Sequence, residues 1–297
     1  MKRQYPTTAQ ANGLFFITVV LTYVGSSLLI LRLGIGTNLW INEYVYILLP
    51  ALLFVKQSKW PVDDIFSFKK TTARNKITSI LSGISMWLFA FYISVVIRFI
   101  LDNKLGELDI PLQEQSVYQN ILLLIGMIVL APICEEILFR GFIQKAYEGH
   151  SKKYGFIITG VIFGYYHILN GVSEVIPATI LGITMGYLVY KTGSILNSIL
   201  FHAMANTSSV CLSGVLGARI TTRIPVWLHV LGFLGLFISI ILLRNIKSDS
   251  ISLENEEEEK EEQDDIKTLS AIGIVLLLLS AIFLTGIGIY EIWFRLQ

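Results

Sequence analysis

Apolar residues run along this chain in long blocks broken by short polar stretches, and nine blocks approach the length of a membrane crossing. They extend over Gly13–Leu31, Leu39–Val55, Ile77–Leu101, Val117–Phe142, Phe156–Leu169, Val175–Tyr190, Ser194–Leu212, Val226–Leu243 and Leu269–Tyr290. Crossing about 30 Å of hydrocarbon takes about 20 helical residues, so the short fifth and sixth blocks are expected as tilted, half-buried or broken spans. The pattern predicts an all-α polytopic membrane protein, a bundle of eight core transmembrane helices with a ninth, C-terminal span. Composition agrees: 54% of the 297 residues are hydrophobic, 15% are charged, and mean hydropathy is +0.64, too apolar for an ordinary soluble protein.

Charge adds orientation and one boundary. Lys2 and Arg3 precede the first span, and Lys56, Lys59, Lys69, Lys70, Arg74 and Lys76 crowd the second loop against Asp63 and Asp64 alone. By the positive-inside rule both belong to the cytoplasmic side, as do Lys145, Lys152, Lys153 and Lys191, while Arg219 and Arg223 fall outside against the rule. The first apolar run is too long for a signal-peptide core and is expected to be retained. Glu254–Asp265 holds nine acidic residues and one lysine, a self-repelling run expected as a solvated linker. Outside it, 22 basic side chains face 13 acidic ones, which suits basic loops lying on anionic lipid. The expected divisions are N-terminal transmembrane helices over 1–116, a motif-bearing region over 117–212, an eighth span over 213–246, the disordered acidic linker over 247–267 and the additional C-terminal helix over 268–297. Cys134 and Cys211 both fall in spans, so no disulfide framework is implied. Cys134 reads as a small buried hydrophobe.

Polar residues inside the spans are the candidate chemistry, because an ionisable group in hydrocarbon is costly unless paired. Glu135, Glu136 and Arg140 sit in Ala131–Gly141, after an uncharged run from Ile121 to Leu130. The fifth block carries Phe163 and His167, and the seventh carries His202 and Asn206. Each pair is four residues apart and so shares a helix face, as do Glu136 and Arg140. Counted along their spans, Glu135, His167 and His202 lie roughly 10 to 17 Å from the cytoplasmic end at about 1.5 Å per residue. A single site opening toward the cytoplasmic half of the bilayer is therefore expected. Pro132 removes a backbone donor and crowds the carbonyl of Ile128, predicting a kink beside the acids. Gly160 with Gly164, and Gly182 with Gly186, permit close helix packing.

A carboxylate with a neutral imidazole can hold and deprotonate a water, while a second histidine and an asparagine carboxamide can donate to a developing oxyanion. Such a set suits amide hydrolysis. Alternatively Glu135, His167 and His202 match the donor set of a catalytic zinc site. No zinc-protease HExxH pattern is present.

At these residues the sequence resembles the CPBP intramembrane protease family, also called the Abi or CAAX protease family. It includes type II CAAX prenyl endoproteases and bacterial bacteriocin-processing and immunity proteins. The family pattern, EExxxR, then FxxxH, then HxxxN, is met in order by Glu135, Glu136 and Arg140, by Phe163 and His167, and by His202 and Asn206. The match covers about a third of the chain, Val117 to Leu212.

The resemblance implies a membrane endopeptidase with its site in a cavity between helices, walled by Phe163. Glu135 would be the general base acting with His167, His202 and Asn206 the oxyanion pair, and Glu136 with Arg140 the groups that shape and neutralise the site. Members have been regarded as metalloproteases and as metal-independent glutamate proteases; no cofactor is favoured, with zinc as the alternative. The acidic linker and ninth span depart from the family's usual eight-helix plan. The expected partners are the lipid bilayer and a membrane-associated peptide or protein substrate, with no nucleic acid. A non-catalytic immunity or scaffold protein, or a proton-coupled transporter, is the competing class.

Overall fold

The computed structural model describes residues 6–108, 115–149, 151–217, 223–248 and 270–297. Lys2, Arg3, Arg219, the acidic run 254–265 and the first residue of the expected last span, Leu269, lie outside them. The described residues form an all-α polytopic membrane protein. Its principal helices are α1 (Thr8–Leu33), α2 (Ile35–Gln57), α3 (Ala73–Leu105), α4 (Val117–Glu148), α5 (Lys152–Tyr166), α6 (Val175–Thr192), α7 (Ile195–Gly217), α8 (Val226–Arg244) and α9 (Ala271–Arg295). Eight are long and apolar enough to cross a membrane; α5, with 15 residues, is the exception. At about 1.5 Å per residue α5 is about 22 Å long, short of a full crossing of about 30 Å. It ends in a 3-10 turn, His167–Asn170, inside the bundle rather than beyond it.

Local signals start and stop these helices. Thr7 and Gln10 form a capping box at the head of α1, with Gln10 N donating to Thr7 Oγ1 at 3.3 Å and Thr7 N to Gln10 Oε1 at 2.8 Å. Gly34, with φ of 77°, stops α1 and lets α2 begin at the next residue, a backbone geometry that disfavours any side chain.

Two prolines leave a similar mark. In α2 a π-helical stretch, Asn42–Leu48, ends two residues before Pro50, and in α4 another, Gly126–Leu130, ends two residues before Pro132. A proline clashes with the carbonyl four residues back, and widening the helix relieves that clash. The disturbance expected at Pro132 thus takes the form of a widened turn.

Polar ties at the two ends fix the alternation of the helices. At one end Asn12 Nδ2 donates to Gly273 O at 2.9 Å, Asn75 Nδ2 to Lys247 O at 3.0 Å and Ser194 Oγ to Lys69 O at 2.6 Å. At the other, Gln119 Nε2 donates to Leu33 O at 2.9 Å, and Arg295 binds Asp102 at 2.6 Å. The first end carries Lys56, Lys59, Lys69, Lys70, Arg74, Lys76, Lys191, Arg244 and Lys247; we call it the basic end.

Helices α7 and α8 pack along α3, and α5 lies along α6. The α5–α6 approach is close because a Cβ at Gly160 would meet the backbone of Ile183, and one at Gly164 the backbone of Thr179. The outward faces are apolar: Val230, Phe233, Phe237 and Ile241 make an exposed stripe along α8 at helical spacing, the surface that hydrocarbon solvates.

Helix α9 is not peripheral. It packs on α1, its Gly288 seats on Ile168, Tyr165 hydrogen-bonds Thr285, and Glu291 Oε2 accepts Val172 N at 2.7 Å. The ninth span, expected as an addition to the bundle, buttresses the turn that carries His167.

Candidate active site

Glu135 and Glu136 occupy the turn of α4 between the widened stretch before Pro132 and a second π-helical stretch, Ile137–Ile143. Consecutive residues on a helix point about 100° apart, and here the two carboxylates enter different surroundings. Glu136 is fully buried and both of its oxygens are engaged. Oε1 accepts Arg140 Nη1 at 2.8 Å and lies 3.0 Å from His202 Nδ1, and Oε2 accepts the Ser198 hydroxyl. Arg140 is itself held by Gly182 O at 3.1 Å and by the face of Phe163, 4.3 Å from the ring centre. Both oxygens of the Glu136 carboxylate are thus occupied, and their effect on the site is to fix His202.

Glu135 Oε2, by contrast, has no hydrogen-bond partner in the protein and lies 4.0 Å from His202 Nε2. Since Glu136 accepts from Nδ1 of His202, that nitrogen carries hydrogen and Nε2 faces Glu135. A lone pair opposed to a carboxylate repels it, so the two are complementary only with a proton or a water between them.

His167 closes α5, and its Nδ1 lies 2.9 Å from the carbonyl of Phe163. That bond assigns the hydrogen to Nδ1 and leaves Nε2 as an acceptor. The Phe163 ring contacts His167 with 4.4 Å between centres and meets His202 edge-on at 5.8 Å. Asn206 Nδ2 donates to Met127 O at 2.8 Å, inside the widened stretch of α4. One N–H of its carboxamide therefore remains for another acceptor.

Glu135, Phe163, His167, His202 and Asn206 all line one cavity of about 930 Å³, while Glu136 and Arg140 stand behind its wall. The sequence-predicted residues are thus brought together in two layers. The expected opening is corrected, however. The cavity runs outward past Ser94, Arg98, Asp102 and Asn103 of α3, past Glu107 just beyond that helix and past Ser213 of α7, toward the end opposite the basic loops. Counting residues along each span gave depth alone and could not tell which end the packed helices close.

Among the cavity residues that escaped the sequence reading are Asn42 and Glu43 in the widened stretch of α2. Glu43 is a lone acid within an apolar block, the signal that drew attention to Glu135, and Pro50 marks the irregular backbone beside it. Among the described residues no three His, Cys, Asp or Glu side chains are grouped to hold a metal ion.

Residues 117–208, which span α4 through the site-bearing part of α7, match the family model described as type II CAAX prenyl endopeptidase Rce1-like. The similarity to that family is confined to this segment, about a third of the chain. Among curated proteins, the UPF0177 protein YaiF of Lactococcus lactis subsp. lactis (strain IL1403) is 27% identical over 138 residues, covering 43% of this chain and 62% of that relative. The chain thus spans less than two thirds of the relative's length. No solved structure matches the chain. The matched segment contains every residue of the three sequence motifs, and Glu43, contributed by α2, lies outside it.

Proposed function

We propose that this chain is an intramembrane endopeptidase that hydrolyses a peptide bond of a membrane-associated or lipidated peptide or protein, by water activation and without a metal step. The observation that carries the reading is the unpartnered Oε2 of Glu135, buried in the cavity beside a histidine that a fully paired second glutamate holds in place. Glu135 accepts a proton from a water that His167 Nε2 orients, and the hydroxide oxygen forms a bond to the carbonyl carbon. The carbonyl oxygen takes up the electron pair and is met by the free N–H of Asn206, with His202 beside it. As the C–N bond breaks, Glu135 returns its proton to the leaving amine. Type II CAAX-like cleavage and processing of a bacteriocin or pheromone precursor are substrate classes this chemistry serves.

With the basic end cytoplasmic, the N-terminus is inside a bacterial cell membrane and the cavity opens to the extracytoplasmic face. Support comes from the charge asymmetry of the two ends together with the lining of the cavity.

The test is cleavage of a panel of membrane-associated peptides by purified protein in liposomes. Glu135→Gln and His167→Ala are expected to lower the rate at least about 10²-fold, and wild type is expected to keep its rate in a strong chelator. Wild-type rates from both variants would overturn the assignment. Loss of activity in chelator, restored by metal, would replace the water-activating pair with a metal site.

A further inference from the structure

Nine buried side-chain atoms among the described residues lack a hydrogen-bond partner, and three belong to cavity residues: Oδ1 of Asn42, Oε2 of Glu43 and Oε2 of Glu135. All three are acceptors. An unmatched group of acceptors, two of them carboxylate oxygens, calls for a ligand that brings several donors and positive charge. Glu43 is 1% exposed, and its partner is Asn42, whose Nδ2 lies 3.2 Å from Oε1. That amide engages one carboxyl oxygen and leaves the other open. The widened stretch that presents both residues packs directly on the Ala131–Glu136 turn, so the acceptors of α2 and α4 face one space.

The route to that space has the same sign. Glu107 and Glu174 line it farther out, while Arg98, the one arginine or lysine of the lining among the described residues, has a side chain 70% exposed and lies 3.7 Å from Asp102. Asp102 is also bound by Arg295. Fields of one sign in a low-dielectric cleft concentrate the opposite charge.

We propose that Asn42 and Glu43 form a subsite, beside the water-activating Glu135, for a cationic side chain of the peptide substrate, a lysine ammonium or arginine guanidinium close to the bond to be cut. Glu43 is then a specificity-determining residue. The inference deepens the endopeptidase reading and rests on it for the identity of the ligand as substrate.

Binding can be read without turnover, which separates failure of this subsite from failure of the proteolytic reading. The His167→Ala protein in detergent is titrated with a fluorescent apolar decapeptide holding one central lysine, and with its norleucine twin. The lysine peptide is expected to bind about tenfold tighter or more. Adding Glu43→Gln should bring the ratio close to one while leaving the norleucine affinity and the thermal midpoint in place. Equal affinities in the parent, no binding of either peptide, or equal weakening of both by Glu43→Gln would overturn the proposal. So would a lysine preference that vanishes when sodium replaces a bulky organic cation, which would assign the acceptors to an inorganic ion.

Discussion

Glu135 and Glu136 are adjacent in sequence and opposite in circumstance. Glu136 neutralises Arg140 and holds His202 and Ser198, all within the bundle. Removing one member of such a buried pair leaves the other charge uncompensated, which costs about 3–5 kcal/mol. Glu136→Gln is therefore expected to lower the thermal midpoint of the purified protein by several degrees, with activity falling alongside. Glu135→Gln removes a carboxylate with an unsatisfied oxygen and should leave the midpoint unchanged or raise it, while abolishing cleavage. Thermal unfolding of the two variants in one detergent separates them; a larger midpoint loss in Glu135→Gln would reverse the division of roles. Motif spacing showed that these residues address a common region. It could not show that His202 bridges the two glutamates, because that depends on how α7 lies against α4.

At the scale of elements, glycine and proline set the geometry. Gly164 of α5 faces the backbone of Thr179 on α6, leaving no space for a side chain. Gly164→Val should force the helices apart and, because His167 lies one turn further along, displace its imidazole. A loss of about 1–3 kcal/mol from overpacking with a loss of activity is expected, read by unfolding and by peptide cleavage; a variant with wild-type stability and rate would refute the packing argument. Both the GxxxG pairs and Pro132 were read along the chain. Their consequences differ in kind: glycine spacing correctly marked a close contact, whereas Pro132 marked the place of a backbone disturbance and not its form. Pro50 carried the same message for α2, beside the lone acid at Glu43.

For the whole molecule the decisive property is sidedness. Asn103, at the mouth of the cavity, and Lys70, in the basic loop, stand at opposite ends of α3. In a Cys211→Ser background, with Cys134 buried, Asn103→Cys is expected to react with a membrane-impermeant thiol reagent applied to intact cells. Lys70→Cys should react only after permeabilisation. The inverse pattern would place the cavity on the cytoplasmic face and move the substrate with it. Helix α9 belongs to this scale as well, since Glu291 and Arg295 tie it both to the turn after His167 and to the end of α3.

The sequence by itself determined the solvent, the helical class, the approximate spans, the basic end and the residues able to do chemistry, because hydropathy, charge in loops and i, i+4 spacing are local properties of a chain. Tertiary structure alone decided which glutamate is satisfied and which is left open, and it brought Glu43 and Asn42 to the same cavity from a distant helix. It also decided that α5 stops inside the bundle at His167, that α9 supports that turn, and that the cavity opens away from the basic loops. Each depends on contacts between helices remote in sequence, where packing and the satisfaction of buried polar groups select one arrangement among many that share the same pattern.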